Sequence, residues 1–212
     1  MDFIKSVVAL LLAGLLVTSA YAATPSIKST TTFSEKSVWK VDSQKGYDVL
    51  SNCQGGLACI TSKMKKMGAS TSAIQFTKAV EPVGTGYLES FKEKGLVDLG
   101  STTYLRANTN TEYVMLNGSP SIVHTEVDTV KGIDKDPLYK SAIKKYKDLL
   151  FWGSSAEFKN ISQDKTGIHY LFSYPMLNGC HACENPYNAL VQFNFNKQGK
   201  FLGNKFVKLV KN

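Results

Sequence analysis

The chain has 212 residues, 43% of them hydrophobic and 11% aromatic, and carries a formal net charge of +8. That length supports a buried core of ordinary size, and the composition is that of a globular protein. Of the 25 basic residues only Arg106 is arginine; lysine is a hydrated point charge, whereas phosphates and base edges are matched by the arginine fork, so no nucleic acid is expected as a partner.

Residues 1–22 read as a secretory signal. Lys5 supplies the basic start, residues 7–17 the apolar centre, and Ala20-Tyr21-Ala22 the small-x-small cleavage rule. The apolar run is too short to anchor in a bilayer, and no later stretch is long and apolar enough to span one. No cysteine follows the apolar run, so no lipid anchor is expected. Cleavage after Ala22 leaves 212 − 22 = 190 residues. The expected product is an exported protein, periplasmic or secreted, in a bacterial envelope; on a eukaryotic route Asn117-Gly118-Ser119 and Asn160-Ile161-Ser162 would be glycosylation sites.

Residues 23–36, rich in Ser, Thr and Lys, read as a flexible lead-in, and residues 37–212 as a single α+β domain. Residues 37–41 alternate like a first strand, and the chain around Cys53 reads as irregular. Cys59, Ile60, Met64 and Met67 share one helical face, ended by Gly68. Ser70 caps a second helix carrying Ala73, Phe76 and Val80. A third is expected over residues 86–94, with Leu88 and Phe91 inward.

Strands follow at residues 96–105, 112–116 and 121–126, separated by turn-forming segments, as a three-stranded meander. Asp136 then caps a helix with Pro137 at its first position. Its stripe runs through Leu138, Tyr139, Ala142, Ile143, Tyr146, Leu149 and Leu150, and Gly153 ends it. Strands at residues 168–174 and 190–196, a turn at residues 196–199 and a restart at Phe201 form a C-terminal β-hairpin region. Helices first, then a meander, a helix and antiparallel strands indicate an α+β fold: an antiparallel β-sheet with about four helices. No glycine-rich phosphate loop is present, which excludes the common nucleotide-binding enzymes.

Cys53, Cys59, Cys180 and Cys183 make an even set, and an oxidising compartment favours disulfides. Three pairings are open; Cys53 with Cys59 and Cys180 with Cys183 is preferred, because each spans a short irregular segment. Gly179-Cys180-His181-Ala182-Cys183 lies in a strand-to-strand loop at residues 175–187. Redox catalysis usually places such a pair at a helix N-terminus that depresses a thiol pKa, and Pro186 leaves no room for one here. C-type haem attachment requires His after the second cysteine, where this chain has Glu184.

The loop has a soft-metal alternative, copper or zinc, through Met176, Cys180, His181 and Cys183, with His169 or His124 added. A cysteine-dependent enzyme is a further alternative. Gln54, then Cys59 opening a helix, then His124 on a strand with Asp128 beyond, resembles the order in papain-like cysteine peptidases. The Gln-to-Cys spacing is shorter than in that family, and Cys53 stands ready to oxidise Cys59. The carboxylate pairs Glu126 with Asp128 and Asp134 with Asp136 could serve glycoside chemistry if suitably spaced, but read first as caps and solvated acids.

The sequence therefore points to a disulfide-stabilised binding domain, with no catalytic residue, metal or cofactor expected. Its candidate binding loop is Met176, His181 and Tyr187, with Trp152 and Tyr174 as further aromatic anchors. The expected partner is a protein or an envelope polymer, with a loose electrostatic attraction to anionic lipid or cell-wall polymer besides.

Overall fold

Two stacked antiparallel sheets organise the chain, and apolar alternation at every second position is clearest over residues 187–196. The computed structural model describes residues 32–105 and 111–212. The expected signal, residues 1–22, and the first part of the lead-in lie outside the described residues.

The elements are α1 (Ser43–Asn52), α2 (Leu57–Lys66), α3 (Thr71–Val80), β1 (Gly86–Lys92), β2 (Asp98–Tyr104), β3 (Thr111–Leu116), β4 (Ile122–His124), α4 (Pro137–Lys145), β5 (Leu149–Phe151), β6 (Glu157–Gln163), β7 (Gly167–Asn178), β8 (Tyr187–Asn196) and β9 (Phe201–Lys211). The first sheet runs β1-β2-β3-β4. The second runs β5-β7-β8-β9, with β6 also paired to β7. The α+β reading holds, with four α-helices and two antiparallel sheets in place of one among the described residues.

Burial on β8 alternates strictly, and its inward Val191, Phe193 and Phe195 join Tyr170, Phe172 and Tyr174 of β7. These pack on Leu99, Met115 and Val123 of the first sheet, the face-to-face arrangement of two sheets. The opposite face of the first sheet carries Leu88, Tyr104, Val114 and Leu116 and buries Phe76 and Val80 of α3. Helices α1 and α2 close a third cluster around Trp39 and Tyr87. Two tyrosines inside the stack each reach a carbonyl: the Tyr170 hydroxyl donates to Val97 O and the Tyr174 hydroxyl to Thr125 O. Burial pushes both phenols above their ordinary pKa, and the hydrogen bonds satisfy the polar end of each ring.

Capping is as the sequence indicates for two helices. Ser70 accepts from Ala73 N, and Asp136 accepts from Leu138 N and Tyr139 N. Other elements differ. Within the expected helix at residues 86–94, Gly86–Lys92 form strand β1 instead, with a β-bulge between Leu88 and Ser90. The bulge inserts one residue, so Leu88 and Phe91, three apart, both pack against the α3 side. Residues 37–41 form no strand: a 3-10 turn, Glu35–Ser37, ends there and Trp39 N donates to Leu88 O. Phe33, inside the stretch read as a lead-in, is buried edge-on against Phe76 at 5.2 Å. Helix α1, to which the sequence reading assigns no element, is capped by Asp42 and ends before the irregular chain at residues 53–56. Helix α4 ends at Lys145 and buries Ala142, while Leu138 and Ile143 are exposed and Leu149 belongs to β5.

Candidate functional site

The β7–β8 hairpin continues four residues further on β7 than its sequence suggests, to Asn178, and β8 begins three residues earlier, at Tyr187. The connecting loop is therefore residues 179–186. Met176 and Tyr187 pair across the hairpin, and both side chains are buried beside Ala142, Ala189 and Leu209. These two members of the expected binding loop are core residues, as is Tyr174. The reason is register: position 176 falls in phase with inward-facing Phe172 and Tyr174. His181 is the member left exposed at the tip.

Both local disulfides are present, Cys53–Cys59 with Cα atoms 5.6 Å apart and Cys180–Cys183 at 5.0 Å. The second closes a turn in which Cys183 N donates to Cys180 O. Gly179 opens that turn at φ +94°, in the left-handed region glycine favours. Hydrogen bonds hold the loop on both flanks: Asn178 N to Glu184 O, Met176 N to Asn185 Oδ1, and Asn212 N to Pro186 O. Because these bonds persist without the bridge, Cys180→Ala/Cys183→Ala is expected to stay folded. The loss should be about 1–3 kcal/mol, at the low end for disulfides because the closed ring is small. Urea unfolding checks this, and a chain that no longer folds would show the bridge to be essential to the fold.

The bridges change the chemistry available. Cys59 is oxidised to Cys53, so the thiol required by the peptidase-like arrangement is absent, and His124 is engaged elsewhere, 3.3 Å from the Tyr104 hydroxyl and 3.5 Å from Glu112 Oε1. The soft-metal reading loses its thiolates to the Cys180–Cys183 bridge and its thioether to the core. His169, its proposed extra ligand, is held by Asn194 Oδ1 at 2.8 Å and Asp164 Oδ1 at 3.2 Å. Hydrogen bonds from Thr166 and His169 in turn keep the Asp164 carboxyl below the usual carboxylate range. Asp136 is committed as the α4 cap and accepts from Leu209 N.

What the fold does assemble is a cluster at the tip. The His181 ring lies against Trp152, with centroids 5.2 Å apart. Trp152 is half-buried, its backbone N donates to Pro175 O, and its indole N–H is buried with no hydrogen-bond partner among the described residues. Beside it a cavity of about 250 Å³ is lined by Glu126, Asp128, Phe151, Trp152 and Ser154. The carboxylates are held in place through the backbone, because Glu126 N donates to Glu112 Oε1 and Val127 N to Gly153 O. Three features scattered in sequence, the tip histidine, one tryptophan and one acidic pair, thus meet at one end of the sandwich.

No protein-family model matches the chain, and no curated protein or solved structure is similar enough to it to count as a match.

Proposed function

We propose that the chain is an exported binding domain that recognises an envelope partner through the disulfide-closed tip. The observation that carries this reading is the contact of the His181 ring with Trp152, inclined at 51°, beside a cavity lined by two exposed carboxylates. Tryptophan presents a large rigid face, and a cation over that face is attracted by the ring quadrupole. Carboxylates at the same cavity reinforce the preference, so the tip selects a cationic group such as a lysine or arginine side chain of an envelope protein. Among the described residues no helix is long and apolar enough to cross a membrane.

Tryptophan emission provides the test. Trp39 is 3% exposed, so ligand-dependent change reports Trp152. Titration with pentalysine is expected to give a saturable change that is lost in Glu126→Gln/Asp128→Asn and weakened in His181→Ala; pentaglutamate should give none. A flat pentalysine titration, or one unaffected by these substitutions, refutes the tip as a cation site. Export is tested separately: the native protein should begin at Ala23, and an intact Met1 on the folded protein would refute it.

A further inference from the structure

A second concavity lies away from the tip, on the face of the first sheet that the second sheet only partly covers. Side chains at alternate positions share a strand face. Ser101 and Thr103 of β2 therefore look the same way as their cross-strand partners Tyr113 and Thr111 of β3, and Ser90 of β1 pairs with Ser101. At one end α1 lies over this face, close enough that Gly46 leaves no room for a Cβ beside the Tyr87 ring. At the other end the face meets Ala156 and Phe158, at and just before the start of β6. Between these walls the sheet surface forms an open floor.

Two cavities occupy that floor. One, about 340 Å³, is lined by Ser43, Gln44 and Tyr47 of α1 with Glu89, Thr103 and Thr111. The other, about 410 Å³, is lined by Lys92, Ser90, Ser101, Thr111, Tyr113 and Phe158, over Leu99. They share Thr111, so together they form one cleft with an aromatic side chain on each wall. Both volumes lie in the range of small-ligand sites.

The chemistry of the lining is specific. Ser43, Ser90, Ser101, Thr103 and Thr111 supply hydroxyls, each able to donate once and accept twice. Glu89 is fixed as an acceptor at the centre: the Ser43 hydroxyl donates to its Oε1 and the Thr103 hydroxyl to its Oε2, both at 3.1 Å. A carboxylate has about four acceptor positions, so two remain for a ligand. Ser90 and Ser101 hydroxyls pair at 2.6 Å. Tyr113 and Phe158 are half-buried with centroids 6.3 Å apart, inclined at 47°, which leaves apolar ring surface at the cleft wall. A ligand that matches this set offers many hydroxyls, able to donate and accept, on a ring with apolar C–H faces.

We propose that this cleft is a saccharide-binding site that takes an oligosaccharide segment across β1, β2 and β3. Tyr113 and Phe158 receive the C–H faces of the sugar rings, Glu89 accepts from a vicinal pair of hydroxyls, and Lys92 at the rim accommodates a sugar carboxylate. The lining holds one carboxylate, whereas glycoside cleavage ordinarily uses two, so the site binds without cleaving. It is separate from the tip and does not rest on the tip's role.

Titration calorimetry of the mature protein with three soluble tetrasaccharides tests the proposal: cellotetraose, chitotetraose and tetragalacturonate. At least one is expected to bind saturably. Affinity for that ligand should fall at least tenfold in Tyr47→Ala/Glu89→Gln and in Ser101→Trp, which fills the cleft, with thermal unfolding confirming that the variants are folded. His181→Ala should bind as the wild type. Absence of binding to all three, or binding that survives both cleft variants, overturns the proposal. Loss in His181→Ala with retention in the cleft variants would move the sugar to the tip and overturn it too. The pentalysine titration fails or succeeds independently of this experiment.

Discussion

Phe172→Ala is expected to destabilise the protein by about 3–5 kcal/mol, the largest effect of any single truncation considered for this chain. The ring is fully buried at the junction of the two sheets. It meets Phe193 at 5.5 Å and Phe158 at 5.7 Å within the second sheet, and Tyr113 at 5.8 Å from the first. Aromatic pairs at such separations contribute beyond area burial. The cavity left by truncation cannot close by one small shift, because its walls belong to separate sheets, each fixed by its own backbone ladder. Urea unfolding should show a lower midpoint at unchanged slope. The same substitution removes the support behind Tyr113 and Phe158, so saccharide affinity should fall with stability. A loss under about 1 kcal/mol, within the range of surface substitutions, would show that the two sheets are not stacked through this ring.

How far the sequence announces these features depends on whether a feature is local. The caps Ser70 and Asp136 act within three residues, and both are readable. So is the turn after β8, where Asn196 Oδ1 accepts from Gln198 N and Lys200 N. The local cysteine pairing is readable for the same reason, with separations of 6 and 3 residues. Strand β1 misleads because its bulge imposes a three-residue spacing on Leu88 and Phe91 that mimics a helix. Strand β6 has no alternation to read: as an edge strand it buries no position fully, and a bulge interrupts its register after Phe158. Helix α1 buries Gly46, Val49 and Leu50, too few apolar residues to draw a stripe.

The candidate site was legible only in pieces. His181 and Trp152 are 29 positions apart, and nothing in either segment states that β5 and β7 pair so as to bring them together. Met176 and Tyr187 read as loop residues because the aromatic run that marks the first strand ends at Tyr174 and the alternation of the next is clear only from Leu190. In fact β7 runs through Pro175, which still pairs with Asn188. The cleft over β1–β3 was missed for a different reason. Its serines and threonines read as ordinary polar strand positions, and they form a surface only because, among the described residues, no strand lies over them. Alternation of hydroxyls over Ser101 and Thr103 was the available signal, and it does not distinguish a ligand site from solvent exposure.

Gly153→Ala is expected to damage the tip more than any substitution of an exposed tip residue. Gly153 reads in sequence as the end of a helix, but that helix stops at Lys145, and the glycine serves a close approach instead. A Cβ at Gly153 would lie 1.6 Å from Val127 O and 2.8 Å from Val127 C. Both obstructing atoms are backbone, so no side-chain rotation relieves the clash. One of the two segments must retreat, and each is anchored: Trp152 N to Pro175 O on one side, Glu126 N to Glu112 Oε1 on the other. Retreat also breaks the Val127 N to Gly153 O bond. Overpacking of this kind typically costs about 1–3 kcal/mol, occasionally more. Gly179→Ala is the informative comparison. Its neighbourhood is open, with Asp148 Cβ nearest at 3.6 Å, so its penalty comes from φ +94° alone, on the order of 1 kcal/mol for a left-handed residue with a side chain. In Gly153→Ala the Trp152 emission should move to the red as the indole leaves its buried position, and the pentalysine response should disappear with it. Gly179→Ala should keep both. Wild-type stability and unchanged emission in Gly153→Ala would mean that residues 126–128 and 152–154 are not in contact, and the cavity between them would not exist.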